Sequence, residues 1–194
     1  MVATELTSPH RYLARRGWLP AGLRKMWLCA YACVWVLTLS TAAIVALAGR
    51  PLAVSVRRVL GLSLSAARNP RPQLGHIVAL AAHNIPIVCW PLLLGVLGVH
   101  RHRLARHVAD GVLLVCVVAN TLPVGAALGA YGISLLVFIP QLPVEWAGLA
   151  FGMGGWLIQR KNPLSVGEGM GLFALICVVQ FCAATIEVMA TPHA

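Results

Sequence analysis

Apolar residues in this chain run in blocks far longer than the helices of a soluble core, and polar residues are largely confined to the gaps between them. Crossing about 30 Å of hydrocarbon takes roughly 20 helical residues, which sets the ruler for each block. Residues 26–49 hold 24 uncharged positions between Lys25 and Arg50 and predict a first membrane span. Residues 76–99 predict a second, interrupted by His83, Asn84, Pro86 and Pro91. Two prolines inside one helix predict a bend or break, tolerated where neighbours satisfy the freed carbonyls. No charge occurs over the 34 residues 111–144, about 50 Å as one helix, which is too long for one crossing. Pro123, Gly125, Gly129 and Gly132 punctuate that block, and Pro140 and Pro143 follow. It therefore divides into a third span near 109–131 and a fourth near 133–158, and residues 169–190 predict a fifth. The expected fold is all-α: a polytopic transmembrane helical bundle of about five spans, with the second and fourth broken by proline.

Residues 51–73 follow another pattern. Leu52, Val54, Val56, Val59 and Leu60 are mixed with Ser55, Arg57 and Arg58, and adjacent arginines disfavour spanning. This predicts an interfacial segment with apolar side chains at the headgroup boundary. It ends at Asn69-Pro70-Arg71-Pro72, where each proline pushes its predecessor out of the α region. The first apolar block is too long for a signal-peptide core, so it is expected to be retained. The expected organisation is a basic cytoplasmic amino-terminal segment, 1–25, followed by a single transmembrane domain, 26–194.

Composition agrees with this pattern. Hydrophobic residues make up 59% and charged residues 10%, with a mean hydropathy of +0.83. A soluble domain carries about a quarter charged residues, so much of this surface must face lipid. Fifteen Lys and Arg against five acids give a formal +10. These charges flank apolar blocks, which suits anionic headgroups rather than nucleic acid. The short basic loops at 100–107 and 159–163 mark the cytoplasmic side and put the amino terminus there too, in a multi-pass protein of the cell membrane. The arginines of 50–71 then fall on the outer side, against the usual bias. Cys29, Cys33, Cys89, Cys116, Cys177 and Cys182 all lie within apolar blocks and read as small buried hydrophobes with free thiols.

Few residues can carry chemistry. Asp110 and Glu168 stand at span entrances and read as structural. Glu145, near the middle of the fourth span, and Glu187, in the last turns of the fifth, differ in kind. An acid at the bilayer centre costs at least about 2.5–3.5 kcal/mol and needs a partner or a watery cavity. A proton or ion relay, a peptide contact, a catalytic acid and a polar lock between helices all fit. Asn84 and Asn120 are buried amides beside proline-disturbed helix, suited to bonding freed carbonyls. His76 and His83 share a helix face, but no Cys or carboxylate stands at ligand spacing, so neither a metal nor a cofactor is expected. Walker, GxSxG, HExxH and Rossmann patterns do not occur, which weighs against an enzyme. Gly125 with Gly129, and Gly148 with Gly152, are small-residue pairs that let helices approach closely.

Several of these residues fall in segments that resemble the stage II sporulation protein M family. They are Asn84, then Ala119-Asn120 with Gly125, then Pro140-Gln141-Leu142-Pro143-Val144-Glu145-Trp146-Ala147-Gly148, then Ala183-Ala184-Thr185-Ile186-Glu187. The likeness covers roughly residues 75–192. The family's Pro-His-Gly-x-x-Glu motif falls on Pro140 and Glu145, with Gln141 in place of His and Leu142 in place of Gly. Its Asn-Gly step reads Asn120-Thr121. A Gln can hydrogen-bond but cannot titrate, so chemistry that rests on the family's His is in doubt here. The resemblance implies a membrane scaffold that assembles cell-wall-remodelling enzymes, or a component of circular bacteriocin maturation or export.

A non-enzymatic scaffold or assembly subunit is accordingly the leading expectation. The alternative is a transporter or peptide-export component with Glu145, Glu187, Asn84 and Asn120 along one polar pathway through broken helices. A third reading, an intramembrane peptide-processing enzyme, needs two acids, or an acid and His83, at a common point. Expected partners are the lipid bilayer, other membrane proteins or a transporter ATPase, a peptide, and a second copy of the chain.

Overall fold

The computed structural model describes residues 18–61 and 73–190. They form six α-helices: α1 (Leu23–Leu47), α2 (Arg50–Leu60), α3 (Leu74–Val96), α4 (Arg103–Tyr131), α5 (Leu142–Gln159) and α6 (Val166–Ala190). Short 3-10 turns occupy Val99–Arg101 and Gly132–Phe138, and no strand occurs among the described residues. Four helical stretches are long and apolar enough to cross a membrane: Leu23–Leu47, Leu74–Val96, Arg103–Leu136 and Val166–Ala190. That marks a multi-pass membrane protein.

The expected fourth span, 133–158, begins late. Its first part is the 3-10 turn, and the α-helix starts only at Leu142, with Pro143 in its first turn. Pro140 and Pro143 lack the N–H groups a continuing helix would need, whereas a proline in a first turn costs nothing. With 18 residues, α5 is about 27 Å long and is not among the four candidate spans. Glu145 consequently lies in the first turn of α5, not mid-span. The expected breaks at Pro86, Pro91 and Pro123 are not there either: α3 and α4 run through them as continuous helices. Each proline removes one N–H but keeps a helical φ, so the flanking turns carry the helix across.

The segment 51–73 was expected at an interface, and its described part is the amphipathic helix α2, none of whose residues is buried. Residues 62–72, with the Asn69–Pro72 stop, lie outside the described residues, as do 1–17 of the amino-terminal segment. Gly49, at φ 78°, allows the sharp corner between α1 and α2. Arg57 fastens α2 to the end of α4. Its Nε donates to the Ala130 carbonyl at 2.9 Å and its Nη2 to the same oxygen. The guanidinium lies 5.1 Å from the centre of the Tyr131 ring. A cation suits the negative end of a helix dipole and its unsatisfied carbonyls.

Successive long helices run in alternating directions. Contacts of Thr38 with Gly125 and Ala42 with Gly129 make α1 and α4 parallel. Contacts of Trp27 with Gly154 and of Gly148 with Gln180 make α5 antiparallel to α1 and α6. Arg24, Lys25, Arg101, Arg103, Arg106, Arg160 and Lys161 therefore gather at one end of the bundle.

Helix α5 is the interior element, with ten of its 18 residues buried. Its glycines face three neighbours. A Cβ on Gly152 would collide with the Val88 carbonyl of α3, and one on Gly155 with Leu92 of α3 and Leu172 of α6. On Gly148 it would strike the Gln180 side chain of α6, and on Gly154 it would press on Trp27 of α1 at 3.3 Å. Without a hydrophobic drive between helices in lipid, such close approach is what holds them together. Gly125 and Gly129 act as expected, opening α4 to the Thr38 and Ala42 carbonyls of α1. Aromatic side chains seal the α1–α5 seam. Trp27 stacks on Phe151 with centroids 5.2 Å apart, and Trp35 meets Trp146 edge-on at 4.7 Å. The Trp27 indole N–H donates to the Ala147 carbonyl at 3.1 Å, and the Tyr31 hydroxyl to the Pro143 carbonyl at 3.2 Å.

All six cysteines are free, but the expectation that they are buried holds only for Cys89; Cys29, Cys33 and Cys182 face outward. An apolar block that crosses lipid has no polar side, so hydrophobicity does not reveal which face turns inward.

Replacing Gly152 by Val should lower the thermal stability of the detergent-purified chain by about 1–3 kcal/mol or prevent folding, as overpacking does. Gly167→Ala is the control: a Cβ there meets nothing within 4 Å, and its melting point should hold or rise.

Candidate functional site

Three of the polar residues singled out above meet in one cavity. Asn84 of α3, Asn120 of α4 and Glu145 of α5 line a recess of about 110 Å³, together with Gln180 of α6. Apolar walls come from Val88, Trp146 and Leu149, among others. Asn84 and Gln180 each sit ten residues from the end of their helix, about 15 Å at 1.5 Å per residue. The recess thus lies well along the helices from their ends, and it opens sideways past the exposed Asn120 and Ile87.

Each helix supplies its polar residue for a local reason. Pro143 starts α5 inside the bundle and puts Glu145 in the first turn, where the positive dipole end favours a carboxylate. Gly148, one turn on, leaves room for the Gln180 side chain. The Gln180 Nε2 donates to the backbone carbonyl of Glu145 at 3.3 Å, which ties α6 to the start of α5. The Asn120 Nδ2 donates to the Cys116 carbonyl in its own helix at 2.7 Å. Asn120 was expected to be buried and to bond a carbonyl freed by a kink; it is instead exposed, and its partner is an ordinary carbonyl four residues back.

Each of those bonds uses one of the two N–H donors of its amide. The Gln180 side chain is 1% exposed, and its Oε1 is enclosed without a hydrogen-bond partner. Among the described residues no cationic side chain lines the recess. Glu187, in the last turn of α6, lies within electrostatic reach of Glu145. The site therefore sets a carboxyl group among amide donors and acceptors. A buried acceptor without a donor is uncommon and calls for a donor or a cation.

Other expected residues are elsewhere. His83 is exposed on the outer side of α3, as is His76, so neither joins Glu145 at a common point. Gln141 caps α5; it is 7% exposed, its Oε1 has no hydrogen-bond partner, and it does not line the recess. Pro86 and Pro123 face outward, Pro91 is buried, and Pro140 and Pro143 shape the entry to α5. Among the described residues no three His, Cys, Asp or Glu side chains group as a metal site would require.

No family model matches this chain, and neither the curated proteins nor the solved structures contain a match to it.

Gln180 was missed by sequence reasoning. Its signal was available, since it is the lone amide in α6, as Asn84 is in α3. The polar anchor at the opposite end was partly legible. Asp110 accepts from the Trp156 indole N–H at 2.9 Å and pairs with Arg160 at 3.1 Å, so it joins α4 to the end of α5. Glu168 and Ser165 form a reciprocal cap at the start of α6, with Ser165 N donating to the carboxylate at 2.8 Å and Glu168 N donating to the Ser165 hydroxyl oxygen at 3.3 Å. Both acids are structural, as expected.

Asp110→Leu should leave the wholly buried Trp156 with an unsatisfied N–H and cost about 1–3 kcal/mol in thermal unfolding. Asp110→Asn keeps an acceptor and should cost less in the same measurement.

Proposed function

We propose that this chain is a membrane transport component that passes a proton or a small hydrated cation along a polar path through Asn84, Asn120, Glu145 and Gln180. One observation carries the reading: Glu145 and the almost wholly buried Gln180, whose Oε1 has no hydrogen-bond partner among the described residues, border the same recess. A polar cavity with an acid inside a membrane bundle is costly to keep, and such sites usually mark ion or proton routes. Carboxylate and amide oxygens suit hard cations and water. Two carboxyl groups in electrostatic reach repel when both are charged, and a bound cation or proton relieves that repulsion. About 110 Å³ holds a few water molecules and no peptide, which favours a small species over the peptide-export alternative. In this reading α5 is a fifth traverse beside the four candidate spans. The basic end faces the cytoplasm, as the bias in short loops suggests.

The scaffold role implied by the likeness to the stage II sporulation protein M family is the second reading. Its support is that residues from the family-like segments, Asn84, Asn120 and Glu145, border one recess, with Glu187 close by. Such a cluster also serves as a polar lock that holds helices in one arrangement for partners.

Reconstituted in liposomes, the wild-type chain should dissipate an imposed proton or monovalent-cation gradient, and Glu145→Gln should reduce that flux at least about tenfold. Gln180→Leu should abolish flux while shifting stability by less than about 1.5 kcal/mol, since it exchanges a half-satisfied buried amide for an apolar group of similar size. A wild-type chain that carries no gradient, combined with loss of membrane partners from a gentle-detergent pulldown of Glu145→Gln, would favour the scaffold.

A further inference from the structure

The basic end of the bundle holds a second recess, separate from the polar cavity. Arg106 from the first turn of α4 lines it, with Arg160 and Lys161 from just beyond α5. Its volume is about 350 Å³, and its remaining walls are Met26 of α1 and Leu157 of α5. Asp110, through its 3.1 Å pair with Arg160, offsets one of the three cations, and among the described residues no acid lines the recess itself. Two positive charges are left over. The Arg106 Nε is enclosed and has no hydrogen-bond partner among the described residues, so the outer guanidinium nitrogens are the ones left to an external acceptor.

The chemistry of that acceptor follows from the donors. Guanidinium groups match phosphate oxygens in pairs, and a lysine adds a compact charge. The start of α4 contributes the positive end of its dipole. The apolar walls decide the source. The recess opens where α1, α4 and α5 reach the end of the bundle, and Met26 and Leu157 offer a surface that acyl chains, but not free phosphate, would cover. We infer that Arg106, Arg160 and Lys161 form a binding site for the phosphate of an anionic phospholipid, seated at the basic end of the bundle.

Native mass spectrometry of the full detergent-purified chain, offered equal phosphatidylglycerol and phosphatidylcholine, tests this inference. The wild type should retain the anionic lipid with a preference of about tenfold or more, given the usual contribution of each basic residue. The double variant Arg106→Gln, Lys161→Gln leaves the Asp110–Arg160 pair intact, and its preference should fall close to parity. Equal retention of the two lipids by the wild type overturns the inference, whether or not the variant folds. A preference that survives in a folded variant overturns it as well. A parallel thermal-shift arm uses millimolar inorganic phosphate. Stabilisation by phosphate alone, without a lipid preference, would move the site to a soluble phosphate and overturn the lipid assignment.

Discussion

Gly152 lets α5 lie against the α3 backbone at a separation a Cβ would forbid, and Gly148, Gly154 and Gly155 keep it close to α6, α1 and α3. In lipid the apolar surface of a helix gains little by leaving its surroundings, so packing and interhelical hydrogen bonds must hold the bundle. The glycine contacts supply the packing. The Trp27 and Tyr31 bonds to α5 carbonyls, and the Gln180 bond to the Glu145 carbonyl, supply the polar ties. The depth and direction of α5 follow from these contacts, and the position of its first turn follows from its depth. Everything around Glu145 inherits that placement.

The two ends of the bundle solve different electrostatic problems. At one end the cations of several segments converge, and Asp110 balances only Arg160 among them. At the other end, Arg57 spends its charge on the carbonyl that closes α4 and on the Tyr131 ring. A helix C-terminus attracts a cation whichever side of a membrane it faces. Between the ends the polar residues are few, and those that meet are three amides and one carboxyl group.

Continuous helices through Pro86, Pro91 and Pro123 change how the recess is built. Unwound backbone does not line it. Side chains from four intact helices do, with the start of α5 in place of a broken helix. Outward-facing His83 and inward-facing Asn84 show the same economy. Neighbouring positions on α3 face outward and into the cavity respectively, because a helix turns about 100° per residue.

The all-helical class and the long apolar segments were legible from the sequence because both depend on local quantities: run length, charge and the cost of exposed backbone in hydrocarbon. The small-residue approach of α4 to α1 and the structural roles of Asp110 and Glu168 were legible for similar reasons. The late start of α5 was not, since Pro140 and Pro143 permit either a kinked span or a fresh helix and only packing selects one. Nor did the apolar runs reveal which face of each helix turns inward, and three of the cysteines lie on the outer side. Asn84, Asn120 and Glu145 could be named as rare polar residues one by one. That they share a recess with Gln180, and that Glu187 stands nearby, was decided by the tertiary structure. Residues up to 96 positions apart meet there only because glycine faces bring four helices within side-chain reach of one point.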